Sequence, residues 1–161
     1  MTITSVNSST FLADTIILIR DKLRTNITSV SSRVYTSYPK NPVIYPIITV
    51  TDRGIIQPSR LGMASEGTLL NIDVEVRIWG RNVQERDELT QQVYAYLRTN
   101  QLDTGTGLSD SNLHDFSLSS AVNVDEDGEA GIRSKVCEYK FLVIISWKEV
   151  KKINEIFKWP K

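Results

Sequence analysis

Leu12, Ile16, Ile19, Leu23 and Ile27 recur at spacings of 4, 3, 4 and 4, which is the apolar stripe of an amphipathic helix. Ser9 or Thr10 is placed to cap its start, and Asp14 falls in the first turn, where the helix dipole favours an anion. Arg20, Asp21, Lys22 and Arg24 lie largely off the stripe, and Asn26-Ile27-Thr28-Ser29 weakens the helix and ends it. The polar residues 2–9 ahead of it read as a loose arm.

The period then changes. Arg33-Val34-Tyr35-Thr36 and residues 43–51 are rich in β-branched and aromatic side chains and predict two strands, with Pro46 demoting half of the second to an edge or a bulge. Residues 52–68 hold Gly54, Pro58, Gly62 and Gly67 without a sustained period and predict a long loop, a length that in small domains is usually functional or disordered. Leu70, Ile72, Val74, Val76 and Ile78 alternate with Asn71, Asp73, Glu75, Arg77 and Trp79, a strand with one buried face. Asn82 and Glu85 have capping-box spacing, and Val83, Arg86, Leu89 or Thr90, Val93 and Leu97 continue as a second helical stripe. Residues 115–124 predict a strand with Phe116, Leu118, Ser120, Val122 and Val124 on one face. After an acidic turn, residues 133–147 predict a last strand with Cys137, Tyr139, Phe141, Val143, Ile145 and Trp147 together. Leu142 and Ile144 make its other face apolar as well, which marks a central strand.

The order α-β-β-β-α-β-β lacks βαβαβ alternation and predicts an α+β domain, an antiparallel or mixed sheet with two helices packed on one face. The domain spans residues 1–150, and residues 151–161 form a basic, apolar tail. At 161 residues and 40% apolar composition, the chain needs no disulfide or metal to fold.

Nineteen Lys+Arg balance nineteen Asp+Glu, which argues against a binder held to nucleic acid by a basic field. The longest apolar run, Phe141-Leu142-Val143-Ile144-Ile145, is far short of a membrane span, and the N-terminal residues lack the pattern of a secretory signal, so synthesis in the cytoplasm is expected. His114 is the only histidine and Cys137 the only cysteine, so a Cys-based zinc site lacks its parts and a metal site would need carboxylates brought together by the fold; His114 reads as a strand-end residue and Cys137, on the apolar face of a predicted strand, as a buried inert thiol. Asn123-Val124-Asp125-Glu126-Asp127-Gly128 imitates half of a calcium loop, but Ser134 stands where the bidentate Glu belongs. Gly105-Thr106-Gly107 lacks the third glycine of a dinucleotide fingerprint and follows a helix. Asp73, Glu75 and Arg77 read as a charge-laced exposed or subunit-contacting face rather than an acid–base pair. The expectation is a protein that is not an enzyme and uses no cofactor or metal.

Charge is instead unevenly placed. Asp103, Asp110, Asp115, Asp125, Glu126, Asp127 and Glu129 lie between residues 99 and 132, where there is no Lys or Arg. Residues 148–161 hold five lysines against two glutamates, interleaved with Val150, Ile153, Ile156, Phe157 and Trp159. Such a pattern fits either a merely soluble surface or a head-to-tail contact between copies.

The first helix ending near Thr25-Asn26, the Val34-Tyr35 strand, the run Pro42-Val43-Ile44-Tyr45-Pro46-Ile47-Ile48-Thr49-Val50, the strand Ile72-Asp73-Val74-Glu75-Val76-Arg77-Ile78-Trp79-Gly80 and the helix from Gln84 to Leu97 together resemble the tail-terminator (tail completion) family of long-tailed bacteriophages. The likeness spans residues 10–150 and rests on element order and texture. It implies a virion protein of the tail or neck, assembled in the host cytoplasm, with no catalytic motif. Its copies form a ring, typically a hexamer, that caps the tail tube protein, ends tube growth and meets a head-completion or connector protein. DNA passes through the ring without specific binding, and no membrane is involved.

Within that frame Arg53, Ile55, Ile56 and Arg60 of the predicted loop, with Lys151, Lys152, Phe157 and Trp159 of the tail, are the candidate subunit and ring interface. Asp125, Glu126, Asp127 and Glu129 are the candidate channel-facing tip, where carboxylates would repel DNA phosphates. Another neck protein (a head–tail connector or head-closure subunit) or a baseplate subunit is the alternative. An enzyme with dispersed carboxylates and an adaptor taking a peptide at the Pro46 edge are the readings from other classes.

Overall fold

A computed structural model describes residues 3–40, 42–61, 67–100, 108, 111–124 and 131–146, the side chains of 56–61 and 146 excepted. Helix α1 (Phe11–Asn26) is followed by strands β1 (Val34–Tyr35), β2 (Ile47–Leu61) and β3 (Gly67–Gly80), helix α2 (Val83–Thr99), and strands β4 (His114–Val124) and β5 (Arg133–Ser146). The strands form one sheet in the order β1-β2-β3-β5-β4. Only β1 runs parallel to its neighbour, and residues 36–46 make the crossover that a parallel pair requires. The sheet is therefore mixed, and α+β is the class observed.

Both helices cover the same face. Ile16, Leu18, Ile19 and Leu23 of α1 and Leu89, Val93 and Leu97 of α2 are buried in one core with Val50, Ile72, Val74, Val76, Ile78, Cys137, Tyr139 and Phe141. Full burial of each such side chain stabilises by about 1.5–3 kcal/mol relative to exposure. α1 lies against β1 and β2, and α2 against β3, β5 and β4. As the two-sided apolar pattern predicts, β5 is internal, between β3 and β4.

Where α2 begins, the Asn82 side chain accepts from the Glu85 amide at 2.8 Å. The Glu85 carboxylate reaches back one residue further than a capping box does, to the Arg81 amide at 2.7 Å. Arg86 is buried on the α2 stripe, whereas Val83, expected there too, is half exposed. Close approach explains Gly80, since a Cβ there would lie 2.7 Å from the Arg86 amide nitrogen.

Four sequence expectations are corrected. Residues 52–61, expected in a loop, are the distal part of β2, in a long hairpin with β3. Register shifts between Asp52 and Gly54 and between Ile55 and Pro58 reset the side-chain alternation twice, so no constant period survives in the sequence. The second strand starts at Ile47, not at 43, because Pro46 has no amide to give a ladder and β3 ends one residue past Trp79, the partner of Ile47. Residues 3–9 are not loose: Val6 and Ser8 are buried, the Val6 amide donates to the Ser111 carbonyl at 3.0 Å, and the Asn7 amide donates to the Asp14 carboxylate at 3.0 Å. Finally, Phe116, Leu118, Ser120, Val122 and Val124 do not share a face. Leu118 pairs with Tyr139 but Ser120 pairs with Glu138, so a bulge moves Val122 and Val124 to the side away from the helices.

Candidate interaction surfaces

The sheet face opposite the helices carries the alternating charges of β3. Arg53 sits in the bulge between Asp52 and Gly54, a glycine at φ +117°, and reaches across two strands. Its Nε lies 2.7 Å from Glu75 and its second guanidinium nitrogen 3.0 Å from Glu138. Glu75 and Glu138 stand opposite each other in the β3–β5 register, a like-charge pair that is unfavourable without a cation between them. Hydrogen bonding to Glu75, with the charges of Glu75 and Glu138, raises the Arg53 pKa further.

Next along the face, Asp73 is opposite Lys140. Burial pushes its carboxyl upward, with Lys140 opposing. The Arg77 guanidinium lies 4.3 Å from the Trp79 ring centroid, and Tyr38 of the crossover meets the same ring edge-on at 5.2 Å. This row neutralises itself within one copy.

The candidate interface residues separate under this geometry. Arg53 is exposed, yet both of its contacts are to carboxylates of its own chain. Ile55, paired with Ile72, is 41% exposed at the outer strand. Ile56 and Arg60 belong to the backbone of β2, where Arg60 is in register with Thr68. Lys151, Lys152, Phe157 and Trp159, and the tip residues Asp125, Glu126, Asp127 and Glu129, lie outside the described residues.

Two surface hollows have polar linings. One of about 530 Å³ lies between α1, α2 and the N-terminal arm. Its polar lining is occupied internally, for the Asn26 amide donates to the Tyr96 hydroxyl at 3.0 Å and to the Lys22 carbonyl at 2.7 Å. The other, of about 340 Å³, holds Arg33, Arg81 and Glu85. Arg81 pairs with Glu85 there, and Arg33 donates to the carbonyls of Ser29, Val30 and Tyr45. Among the described residues no three His, Cys, Asp or Glu side chains converge as a metal would require, and no helix is long and apolar enough to cross a membrane. Cys137 is buried, and that burial pushes its thiol pKa up, away from a reactive thiolate.

Sequence reasoning missed Asn112. Its backbone is left-handed (φ +62°), and its side-chain amide donates to the Ile144 carbonyl at 2.8 Å while accepting from the Ile144 amide at 3.1 Å. Only the residue type, one that tolerates this conformation, hinted at it.

No family model matches the chain, and no curated protein matches it. Among solved structures, a chain from the virion of a native gene transfer agent particle aligns with a TM-score of 0.44 and 13% identity, covering 78% of this chain and 91% of that chain. That likeness is too distant to bear on function.

Proposed function

We propose that the chain is a structural virion protein of the tail-terminator kind. Copies form a ring, a hexamer in this reading, that seats on the last ring of the tail tube protein, stops its growth and presents a surface to a head-completion or connector protein. DNA crosses the ring without specific contacts, and the protein does no catalysis. The observation that supports this best is the element order α-β-β-β-α-β-β on one mixed sheet, which is the order that carries the resemblance.

The physical demands of such a role are modest. A cap must hold the tube end better than another tube subunit does, and a ring multiplies weak contacts through effective concentration. The β2–β3 hairpin, which continues past the last residue of the parallel pair with β1, is the element best placed to reach a neighbouring ring. The test is to polymerise the tube protein of the same genome with and without this chain and to measure tube lengths and end structure by electron microscopy. Short tubes ending in a ring are expected. Replacing residues 59–69 by a two-residue turn should leave a folded chain, checked by circular dichroism, that no longer caps. Unchanged tube lengths with the unaltered protein would overturn the capping role.

A further inference from the structure

At the end of the sheet where β5 finishes, its two faces differ. On the helix side Leu70, Val143 and Ile145 are buried in the core with Val6, Leu108 and Leu113, so that side is already filled. On the opposite, open face Leu69 and Ile144 stand across from each other in the β3–β5 register, and Leu142 follows two residues along β5. Leu69 and Leu142 are half-buried, and Ile144 is 42% exposed. The next part of that face is charged, beginning with the facing pair Asp73 and Lys140. A small apolar patch therefore lies at the very end of a face that otherwise suits water.

The flank of β5 is closed here. β4 pairs with β5 only from His114 and Leu142 onward, and beyond that point the Asn112 side chain satisfies both the amide and the carbonyl of Ile144. An added strand finds no free main-chain groups at Ile144, so whatever covers the patch packs on the face.

The chain itself supplies a candidate for that place. β5 ends at Ser146, two residues past Ile144 and in register with Gly67, so residues 147–161, which lie outside the described residues, start about 7 Å from the patch. Their sequence puts Val150, Ile153, Ile156 and Phe157 at spacings of 3, 3 and 1, one stripe of a helix. Lys148, Lys151 and Lys158 fall on the far side of that stripe, and Pro160 stands beyond its end.

We propose that residues 149–159 dock as an amphipathic helix on the open face of their own chain, over Leu69, Leu142 and Ile144, with Trp147 and Lys148 as the turn. Length agrees: eleven helical residues span about 16 Å, the length of the five strand residues from Leu142 to Ser146. Connection selects the occupant, because a segment tethered two residues away is present at about millimolar effective concentration, where a separate partner must be recruited. Polar chemistry agrees as well. Asp73 Oδ1, next along the face, is shielded from solvent and has no hydrogen-bond donor, a costly arrangement until one arrives. Lys152 and Asn154 border the apolar stripe and bring donors to that row. This contact is independent of the capping role, and either stands if the other fails.

The test uses the full chain with labelled methyl groups. Nuclear Overhauser contacts are expected between the Ile144 methyls and side chains of residues 150–157, and in a mixture of differently labelled copies they should arise within one copy. Trypsin cleavage after Lys151 and Lys152 reports undocking, its rate following the population of the open form when opening is fast. Ile156→Gln with Phe157→Gln should raise that rate at least tenfold, and Ile144→Gln should do the same from the sheet side. Combining all three should add little, because each removes the same contact. Unshifted core methyl signals of Ile72 and Ile78 establish folding in each variant. Should Ile144→Gln not fold, the tail variant, which alters nothing in the sheet, decides alone.

Unchanged cleavage in a folded variant overturns the proposal, as does the lack of contacts between Ile144 and residues 150–157 in the unaltered chain. Additive acceleration overturns it too, by assigning the two changes to different contacts. Contacts that arise only between differently labelled copies overturn it by making a second copy the occupant.

Discussion

Replacing Asn112 by alanine is expected to destabilise the fold by about 2–3 kcal/mol. The side chain does for Ile144 what a strand neighbour does elsewhere, because β4 begins its pairing with β5 only at His114 and Leu142. Two well-formed hydrogen bonds join it to the Ile144 backbone at 2.8 and 3.1 Å, and a longer one of 3.4 Å reaches the Val6 carbonyl. The Ile144 bonds are solvent-exposed, so the lower part of the usual 0.5–1.5 kcal/mol each applies, giving about 1–2 kcal/mol for the pair. Alanine at φ +62° adds about 1 kcal/mol, a cost that asparagine partly escapes. The long bond to Val6 is given no weight.

Urea unfolding measures the total, and a fall in Tm of roughly 5–10 °C is the thermal equivalent for a domain of this size. Two further substitutions divide it. Asn112→Gly keeps the backbone conformation and loses the hydrogen bonds, so it should recover part of the alanine loss. Asn112→Asp keeps an acceptor for the Ile144 amide but turns a carboxylate oxygen toward the Ile144 carbonyl, and it should recover less. Amide exchange at Ile144 should accelerate in all three variants. Stability of Asn112→Ala within about 0.5 kcal/mol of the unaltered protein would refute this bookkeeping of bonds and backbone.

Arg53→Gln should lower the urea midpoint by leaving Glu75 and Glu138 opposed, and adding Glu138→Gln should restore part of the loss; additive effects in this double-mutant cycle would show that Arg53 does not bridge the pair. Hydrogen bonds from Arg86, then Lys135, hold the Asp87 carboxyl down to about 2. The folded state therefore favours its ionised form, and the stabilisation is present above about pH 4 and lost as pH falls towards 2. Asp87→Asn should cost under about 1 kcal/mol at pH 7, because solvent screens the pair, and urea titrations should show the difference closing across that window. Gly80→Ala forces a methyl to 2.7 Å from the Arg86 amide nitrogen and 3.0 Å from its Cα, main-chain atoms that move only if α2 moves. A loss of about 1–3 kcal/mol is expected in thermal unfolding, and an unchanged melt would contradict that close approach.

The elements read most directly from the sequence are those with one unbroken period. Ile72 to Ile78 alternate without interruption, and Ile72, Val74, Val76 and Ile78 are all fully buried. Ile16, Ile19 and Leu23 keep helical spacing and are buried in turn. Reading failed where the backbone inserts a residue. A bulge at Arg53 and another before Pro58 hide ten residues of strand, and the bulge at Ser119 sends Val122 to the face opposite Leu118. The arm gives no period for a different reason: Ile3 and Val6 are two apolar residues in a polar stretch too short to repeat, and the anchors of Val6, Ser111 and Asn112, lie more than a hundred positions away. Arg53 is a candidate through its place in the predicted loop, but its cross-strand carboxylates follow from register, which periodicity does not specify.

Strand order gives the facing charges of the sheet their consequence. In the order β1-β2-β3-β5-β4, β3 lies between β2 and β5, so Arg53 of β2 reaches Glu75 of β3 and, beyond it, Glu138 of β5, while Asp73 of β3 faces Lys140 of β5. At physiological ionic strength fields between exposed charges decay within about 8 Å, so these contacts favour one register at close range and add little beyond it.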